Sequence, residues 1–165
     1  VWGRAMSRVV QDKLTPEQKA ENERLSSTLD KVDKENTKWP GEIVEKHGWP
    51  TISLVGQDGS NDAWLLVQHA DKDPKFQRKC LDLMTKAPKE EVSQKNLAYL
   101  TDRVLLAEGK KQIYGTQFTS ANGKWEPRPL EDPANVDRRR KEAGLPPLSE
   151  YVKMLEEMYG KPAKK

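Results

Sequence analysis

The sequence predicts a mainly α-helical protein, a single-domain bundle of about six helices with one β-hairpin after the central helix. Apolar residues recur at helical spacing between proline and glycine breaks. One Asn-Gly pair, at 122–123, separates two short segments of strand-like composition, which is typical of a hairpin. The 165 residues, 35% of them hydrophobic and 33% charged, suit one soluble domain with one core. We place this domain at residues 14–160, between an irregular segment at 1–13 and a frayed basic tail at 161–165.

The N-terminal helix is predicted from its capping residues. Thr15 followed by Pro16 is typical of an N-cap and a first helical turn, and the helix continues to about Thr37. Its apolar stripe is thin and consists of Leu25, Leu29 and Val32. Asp33 and Asn36 lie beside this stripe, so both a solvated and an inward position stay open for them.

The next segment is predicted to be irregular. Pro40 and Gly48 bound a short helical turn, and Trp49 with Pro50 forces an extended turn after it. Residues 52–56, "ISLVG", form either a short strand or an extended buried segment. Residues 56–61 then supply turn residues and a cap for a helix at 62–71.

The second half of the chain is predicted with clearer boundaries. Asp73 and Pro74 start a helix that Pro88 ends. One face of this helix carries Phe76, Cys80, Leu83 and Met84. The helix at about 90–108 is apolar on nearly every side, which indicates burial. After the hairpin, two helices at about 135–143 and 149–159 close the domain.

Composition excludes several classes of function. The 29 basic and 26 acidic residues are mixed along the chain, so we expect no nucleic-acid partner, and "DRRRK" at 137–141 is interpreted as a solvated helix face. No segment has the roughly 18 to 20 apolar residues that cross a bilayer.

Cys80 cannot form an internal disulfide and is interpreted as a small buried hydrophobe, with a catalytic thiol as the alternative. The chain begins with Val1 and not with methionine, so we expect that either a leader or another upstream segment was removed, and both a cytoplasmic and an exported location stay open.

Established catalytic and cofactor motifs are missing from the sequence. It has no glycine-rich phosphate loop, serine elbow, His-Glu-x-x-His or paired-cysteine motif. With His47 and His69 as the only histidines, we expect no metal site and no cofactor.

The stretch "WLLVQHADKD", residues 64–73, places two polar side chains where a helix should contact the core. His69 shares a helix face with Leu65 and Leu66, and Gln68 lies one turn after Trp64. A buried imidazole without a hydrogen-bond partner costs about 1 to 3 kcal/mol. His69 is therefore either a core histidine satisfied by a backbone carbonyl or a general acid or base.

Two charged residues occupy the buried central helix. Asp102 and Arg103 point about 100° apart, so they are poorly placed to pair with each other. Structural ion pairs with other elements are one interpretation. We expect His69 as the partner of Asp102, and either a ligand anion or Asp33 as the partner of Arg103, whose planar guanidinium suits bidentate anion binding.

Further candidate residues lie in two turns. In "YGTQ", Gly115 allows close backbone approach, and Tyr114 and Gln117 offer a hydroxyl and an amide, although an ordinary strand with a glycine bulge has the same pattern. Trp49 and Thr51 in the "GWPT" turn either face a cavity or form a packed loop.

Taken together, these motifs resemble a bacterial family known only as a domain of unknown function. The resemblance covers roughly residues 28–151. Its motifs are Asp33-x-x-Asn36, Gly48-Trp49-Pro50-Thr51, Gln68-His69-Ala70-Asp71, Tyr99-Leu-x-Asp102-Arg103, Tyr114-Gly-Thr-Gln117, and Val136-Asp137-x-Arg139 before Gly144-Leu145. The resemblance implies no activity, but its positions coincide with the polar residues that fit worst as plain core, a pattern typical of functional sites.

The sequence therefore predicts a small-molecule enzyme that applies acid-base chemistry to an anionic substrate, by hydrolysis, elimination or cyclisation. The predicted catalytic residues are His69, Asp102 and Asp33. The predicted substrate-binding residues are Arg103, Gln68, Tyr114, Gln117, Trp49, Thr51, Asn36 and Tyr99. The alternative is a ligand-binding or protein-interaction module in which the same buried polar network is structural. The substrate and the oligomeric state stay open.

Overall fold

The computed structural model describes residues 15–121 and 123–162, which form six α-helices and one two-stranded hairpin. The helices are α1 (Pro16–His47), α2 (Ile52–Gln68), α3 (Pro74–Lys86), α4 (Gln94–Ala107), α5 (Val136–Glu142) and α6 (Leu148–Tyr159), and the strands are β1 (Phe118–Ala121) and β2 (Lys124–Pro127). Short 3₁₀ turns lie at Lys89–Glu91 and Pro133–Asn135. The predicted mainly α architecture is confirmed. The predicted irregular segment at 1–13, Asn122 and most of the predicted basic tail lie outside the described residues.

Helix α1 begins as predicted and ends later than predicted. The Thr15 hydroxyl accepts from the backbone N–H of Gln18 at 3.3 Å, and the Gln18 side chain accepts from the Thr15 N–H at 3.0 Å, which is a capping box. The helix then continues through Pro40 to His47, so the separate turn predicted after Pro40 is wrong. A proline inside a helix removes one hydrogen bond and crowds the carbonyl four residues earlier, so the helix continues only where packing offsets this cost. Here Pro40 is buried and Val44, one turn later, packs into the main core.

The prediction of a strand or extended segment at 52–56 is also wrong. Helix α2 begins at Ile52, and Gly56, with φ 77° and ψ 167°, separates its first turn from the remainder. The Glu91 carboxylate accepts from the backbone N–H of Ser53 at 2.9 Å and so satisfies one of the free donors at the helix start. Because Glu91 lies 38 residues away, the local sequence pattern could not indicate this contact.

Helices α3 and α4 pack against each other and carry most of the main core. Helix α3 begins at Pro74, and the Asp73 carboxylate caps it by accepting from the N–H of Phe76 at 2.9 Å, as predicted. The buried members of the main core are Val44, Trp49, Val67, Cys80, Leu81, Met84, Val92, Leu100 and Val104. Cys80 is fully buried, and burial raises the pKa of its thiol to about 12, which keeps it protonated and unreactive.

The hairpin follows the central helix, as predicted. Strands β1 and β2 are antiparallel, with Phe118 opposite Pro127 and Ala121 opposite Lys124. The hairpin lies against α6, where the Trp125 indole N–H donates to the carbonyl of Gly160 at 3.0 Å. Among the described helices, none combines the length and the apolar composition that a membrane span requires.

Candidate functional site

The loop at residues 112–117, between α4 and the hairpin, is held by a buried carboxylate. Asp102 is 0% exposed. Its Oδ1 accepts from the N–H groups of Ile113 and Tyr114 at 2.8 and 2.9 Å. Its Oδ2 accepts from the N–H and the hydroxyl of Thr116 at 2.8 and 2.9 Å. These four donors offset the cost of burying the charge, so Asp102 fixes the loop backbone.

Two arginines hold the carbonyl groups of the same loop. Arg140, which is 0% exposed, donates from Nη1 to the carbonyls of Tyr114 and Gly115 at 2.8 and 3.1 Å. Its guanidinium carbon lies 5.0 Å from the ring centroid of Tyr151, a cation-π contact. Arg139 donates from Nε to the carbonyl of residue 113 at 3.0 Å. The N–H groups of the loop thus donate to a carboxylate, and its carbonyls accept from two guanidinium groups.

Gln112, also fully buried, joins the loop to the strand that returns from the hairpin. Its side-chain Nε2 donates to the carbonyls of Gln117 and Arg128 at 2.9 and 2.7 Å. Its Oε1 accepts from the N–H of Gln117 at 3.0 Å. Sequence reasoning missed Gln112 because "EGKKQ" has the composition of an exposed turn.

A cleft of about 490 Å³ opens beside this loop, between α2, α4, the hairpin and α6. The polar residues that line it include Gln68, His69, Asp71, Arg103, Gln117 and Arg128. Tyr99 lines it as well. The structure therefore brings together five of the sequence-predicted residues, which are Gln68, His69, Tyr99, Arg103 and Gln117.

The cleft wall contains an ion pair that differs from the expected one. Arg103 Nη1 donates to Asp71 Oδ1 at 2.6 Å, and the two side chains are 11% and 26% exposed. Burial by itself raises the pKa of Asp71, but the charge of Arg103 and its hydrogen bond lower it, and the net pKa is below the ordinary value. Asp33, the partner expected from the sequence, and Asn36 have side chains outside the described residues.

Several buried polar groups on this wall have no hydrogen-bond partner. Among the described residues, five buried side-chain nitrogen or oxygen atoms are without one, and three of them belong to the cleft: Trp64 Nε1, Gln68 Oε1 and Arg103 Nε. An unpartnered buried polar group costs about 1 to 3 kcal/mol. These residues therefore keep hydrogen-bonding capacity that a bound molecule or an ordered water would satisfy.

His69 lies at the rim of the cleft and is exposed. Helix α2 ends at Gln68 rather than at the predicted residue 71, and Leu65, one turn before His69, is 48% exposed, so the face that they share does not contact the core as the sequence pattern had predicted. The expected pair between His69 and Asp102 is not formed, because the Asp102 oxygens are occupied by the loop.

Three other predicted binding residues lie away from the cleft. Tyr114 packs against the small core cluster of Ala98, Ala143 and Leu145, and burial, followed by the charge of Asp102, raises the pKa of its hydroxyl. Trp49 is 5% exposed in the main core. Thr51 precedes α2, with its hydroxyl 3.5 Å from that of Ser53. For Trp49 and Thr51 the packed-loop interpretation fits the structure.

The structure also adds residues that the sequence analysis did not select. Arg128 and Tyr151 line the cleft, together with Gln77, whose Nε2 donates to the carbonyl of Val67 at 3.0 Å. These residues come from elements far apart in the chain, and no local signal marks them. Among the described residues, no group of three or more His, Cys, Asp or Glu side chains could hold a metal ion.

Fold and site together define a mainly helical protein with a polar and aromatic cleft supported by a buried charge network. The chain belongs to the family described as "Family of unknown function (DUF6624)", whose model matches residues 8–164. The expected membership of a family of unknown function is thereby confirmed. No curated protein and no solved structure matches the chain.

Proposed function

We propose that this protein is a small-molecule enzyme that binds an anionic substrate in the cleft and transfers a proton at its rim. The main support for the proposal is the incomplete hydrogen bonding of the Arg103 guanidinium. Its guanidinium is almost buried on the cleft wall, has one nitrogen on Asp71, and keeps Nε without a partner. A guanidinium in this state favours a carboxylate or phosphate as an additional partner.

The charge of the cleft supports an anionic substrate. Asp71 and Arg103 neutralise each other, and Arg128 adds a second guanidinium. Among the described residues, Arg128 forms no ion pair within 4.0 Å, so its positive charge is not balanced. Gln68 and Gln117 provide amides that can orient the bound molecule.

His69 is the proposed proton-transfer residue. It is the one histidine among the described residues that line this cleft, and imidazole accepts and releases protons near neutral pH. Asp102 is instead a positioning residue, because it acts on the substrate only through the loop that carries Thr116 and Gln117. The reaction class, whether hydrolysis, elimination or cyclisation, follows from identifying the substrate.

The alternative is a ligand-binding module without catalysis. It is favoured by one observation: Asp102 and Arg140, the two charged residues that are fully buried in the described part of the chain, both bond to the backbone of one loop. Such a network specifies a single packing and requires no chemistry.

A thermal-stabilisation screen with small carboxylates and phosphates, followed by calorimetric titration, tests the proposal. Arg103→Lys keeps a charge beside Asp71 but removes Nε and the planar fork, so we expect ligand affinity to fall at least about tenfold. His69→Asn should keep the affinity for the ligand and abolish its conversion, which NMR measures. His47→Asn, at an exposed histidine of α1, is the matched control and should change neither.

The outcomes separate the two candidates. Binding without conversion by the unaltered protein would establish the ligand-binding module in place of the enzyme. Affinity and conversion that both survive in folded Arg103→Lys and His69→Asn variants would show that this cleft is not the site.

A further inference from the structure

Aromatic rings from four separate elements meet in the cleft. Trp64 comes from α2, Tyr99 from α4, Phe118 from β1 and Tyr151 from α6. Three of the four tyrosines in the chain line this cleft, since Tyr159 joins them. A site for a small aliphatic anion needs few aromatic rings, because the charge and its hydrogen bonds supply most of the recognition.

The rings form a connected wall. Trp64 and Tyr99 have ring centroids 6.1 Å apart at an interplanar angle of 70°. Tyr99 and Tyr151 are 6.3 Å apart at 75°, and Phe118 and Tyr151 are 5.4 Å apart at 60°. In such edge-to-face contacts neighbouring rings lie at steep angles, so a flat ligand ring can stack on one ring and meet the edge of the next.

Two residues of the same wall also carry buried polar atoms without a partner. Trp64 and Gln68 lie one helical turn apart on α2. The unpartnered Trp64 Nε1 is a hydrogen-bond donor and the unpartnered Gln68 Oε1 is an acceptor. A heteroaromatic ring presents at least an acceptor along its edge, as pyridine does, or an acceptor and a donor, as adenine does, whereas a plain hydrocarbon ring presents neither.

We propose that the ligand of this cleft is a planar heteroaromatic anion, with its ring against the aromatic wall and its carboxylate or phosphate at Arg103 and Arg128. This inference rests on the proposed function, because it takes the cleft to be an anion-binding site. It adds the chemical class of the substrate, because the charges of Arg103 and Arg128 indicate an anion but not the kind of molecule that carries it.

Two pairs of probes of similar charge test the substrate class by calorimetric titration. Adenosine monophosphate is compared with ribose 5-phosphate, and nicotinate with cyclohexanecarboxylate. We expect the ring compound to bind about tenfold more tightly in at least one pair. The first pair carries a phosphate and the second a carboxylate, so comparing the two pairs also identifies the anionic group that the cleft binds.

Failure of the heteroaromatic substrate class can be distinguished from failure of the anion site. Equal binding within both pairs would overturn the heteroaromatic ligand and leave the anion site in place. Absence of binding by all four probes would count against both the substrate class and the anion site.

The two phenylalanines of the chain provide matched variants. Phe118→Leu keeps an apolar side chain of similar size in the cleft and removes its ring, so we expect the preference for the ring compound to fall about threefold or more. Phe76→Leu, in α3 and outside this cleft, should leave the preference unchanged. An unchanged preference in a folded Phe118→Leu variant, as judged by its circular dichroism, would overturn the role of the aromatic wall.

Discussion

Asp102 is a fully buried side chain of α4 that bonds to the loop beside the cleft. A carboxylate on a buried helix suggested a catalytic partner for a histidine, but its oxygens accept four hydrogen bonds from Ile113, Tyr114 and Thr116. Three of these bonds come from backbone N–H groups, so the carboxylate holds the loop backbone in place. The loop beside the cleft depends on this one side chain.

Asp102→Ala should therefore lower the free energy of unfolding by about 3 kcal/mol or more, because it leaves three buried backbone donors without an acceptor. Urea denaturation at neutral pH measures this loss. Asp58→Ala, at an exposed position of α2, is the control and should change stability by less than about 0.5 kcal/mol. A loss below about 1 kcal/mol for Asp102→Ala would mean that the loop is held mainly by other contacts.

Gly115 is constrained by its backbone and by its neighbours. It has φ 66°, and a Cβ atom at this position would lie 2.9 Å from Leu148 Cδ1. Gly109 has a similar φ of 74° but open space around it. We expect Gly109→Ala to lower the free energy of unfolding by about 1 to 2 kcal/mol, and Gly115→Ala by at least about 1 kcal/mol more. Equal losses in thermal or urea unfolding would show that Leu148 moves aside without cost.

At the scale of elements, capping residues determine where helices begin. The starts of α1 and α3 follow from Thr15-Pro16 and Asp73-Pro74, because a cap bonds to residues three positions away. The start of α2 at Ile52 depends on Glu91, which is distant in the chain. Local caps are therefore predictable, and caps supplied by another element are not.

The cap of α3 can be tested directly. Asp73→Ala removes the acceptor for the N–H of Phe76 and should lower the free energy of unfolding by about 1 kcal/mol. Asp73→Asn keeps an oxygen acceptor and should retain most of the stability. Urea denaturation compares the two variants, and an equal loss in both would indicate that the charge of Asp73, rather than its cap, stabilises the helix.

Part of the candidate site could be predicted by the same logic. Gln68, His69, Tyr99 and Arg103 were selected because polar side chains beside a buried helical stripe break the local pattern. Asp71 and Arg128 were not selected as site residues, because an ion pair across 32 positions and a cleft wall behind a hairpin have no local signature. Tyr114 and Trp49 were predicted to bind substrate, but both pack into core clusters. The polar atom on an aromatic side chain does not indicate where its ring packs.

At the scale of the whole molecule, the cleft exists only when distant parts of the chain meet. Its walls come from α2, α4, the hairpin and α6, and the Trp125 contact with Gly160 joins the last two. The Arg103–Asp71 pair connects α4 to the segment after α2. The stability of the fold is therefore coupled to the ionisation of groups at the cleft.

The pH dependence of stability should reveal this coupling. Because the folded-state pKa of Asp71 is lowered from an ordinary value of 3.8, its contribution is fully present above that pH and is lost as the pH falls through the lowered pKa. We expect the stability difference between the unaltered protein and Asp71→Asn to shrink as the pH decreases below about 4. Urea titrations from pH 7 to pH 2 measure it, with exposed Asp58→Asn as control. A difference that stays constant over this range would contradict the assigned pairing.

Asp102, Arg139 and Arg140 together hold the loop at residues 112–117 and limit its motions. Opening residues 112–117 would break the hydrogen bonds from three backbone N–H groups to Asp102 and from Arg140 to two carbonyls at the same time, so local fluctuations of this segment are suppressed. The amide protons of Ile113, Tyr114 and Thr116 should consequently exchange with deuterium as slowly as those in the centre of α4. By its dihedral angles this segment is a loop, and by its rate of hydrogen exchange it belongs to the core.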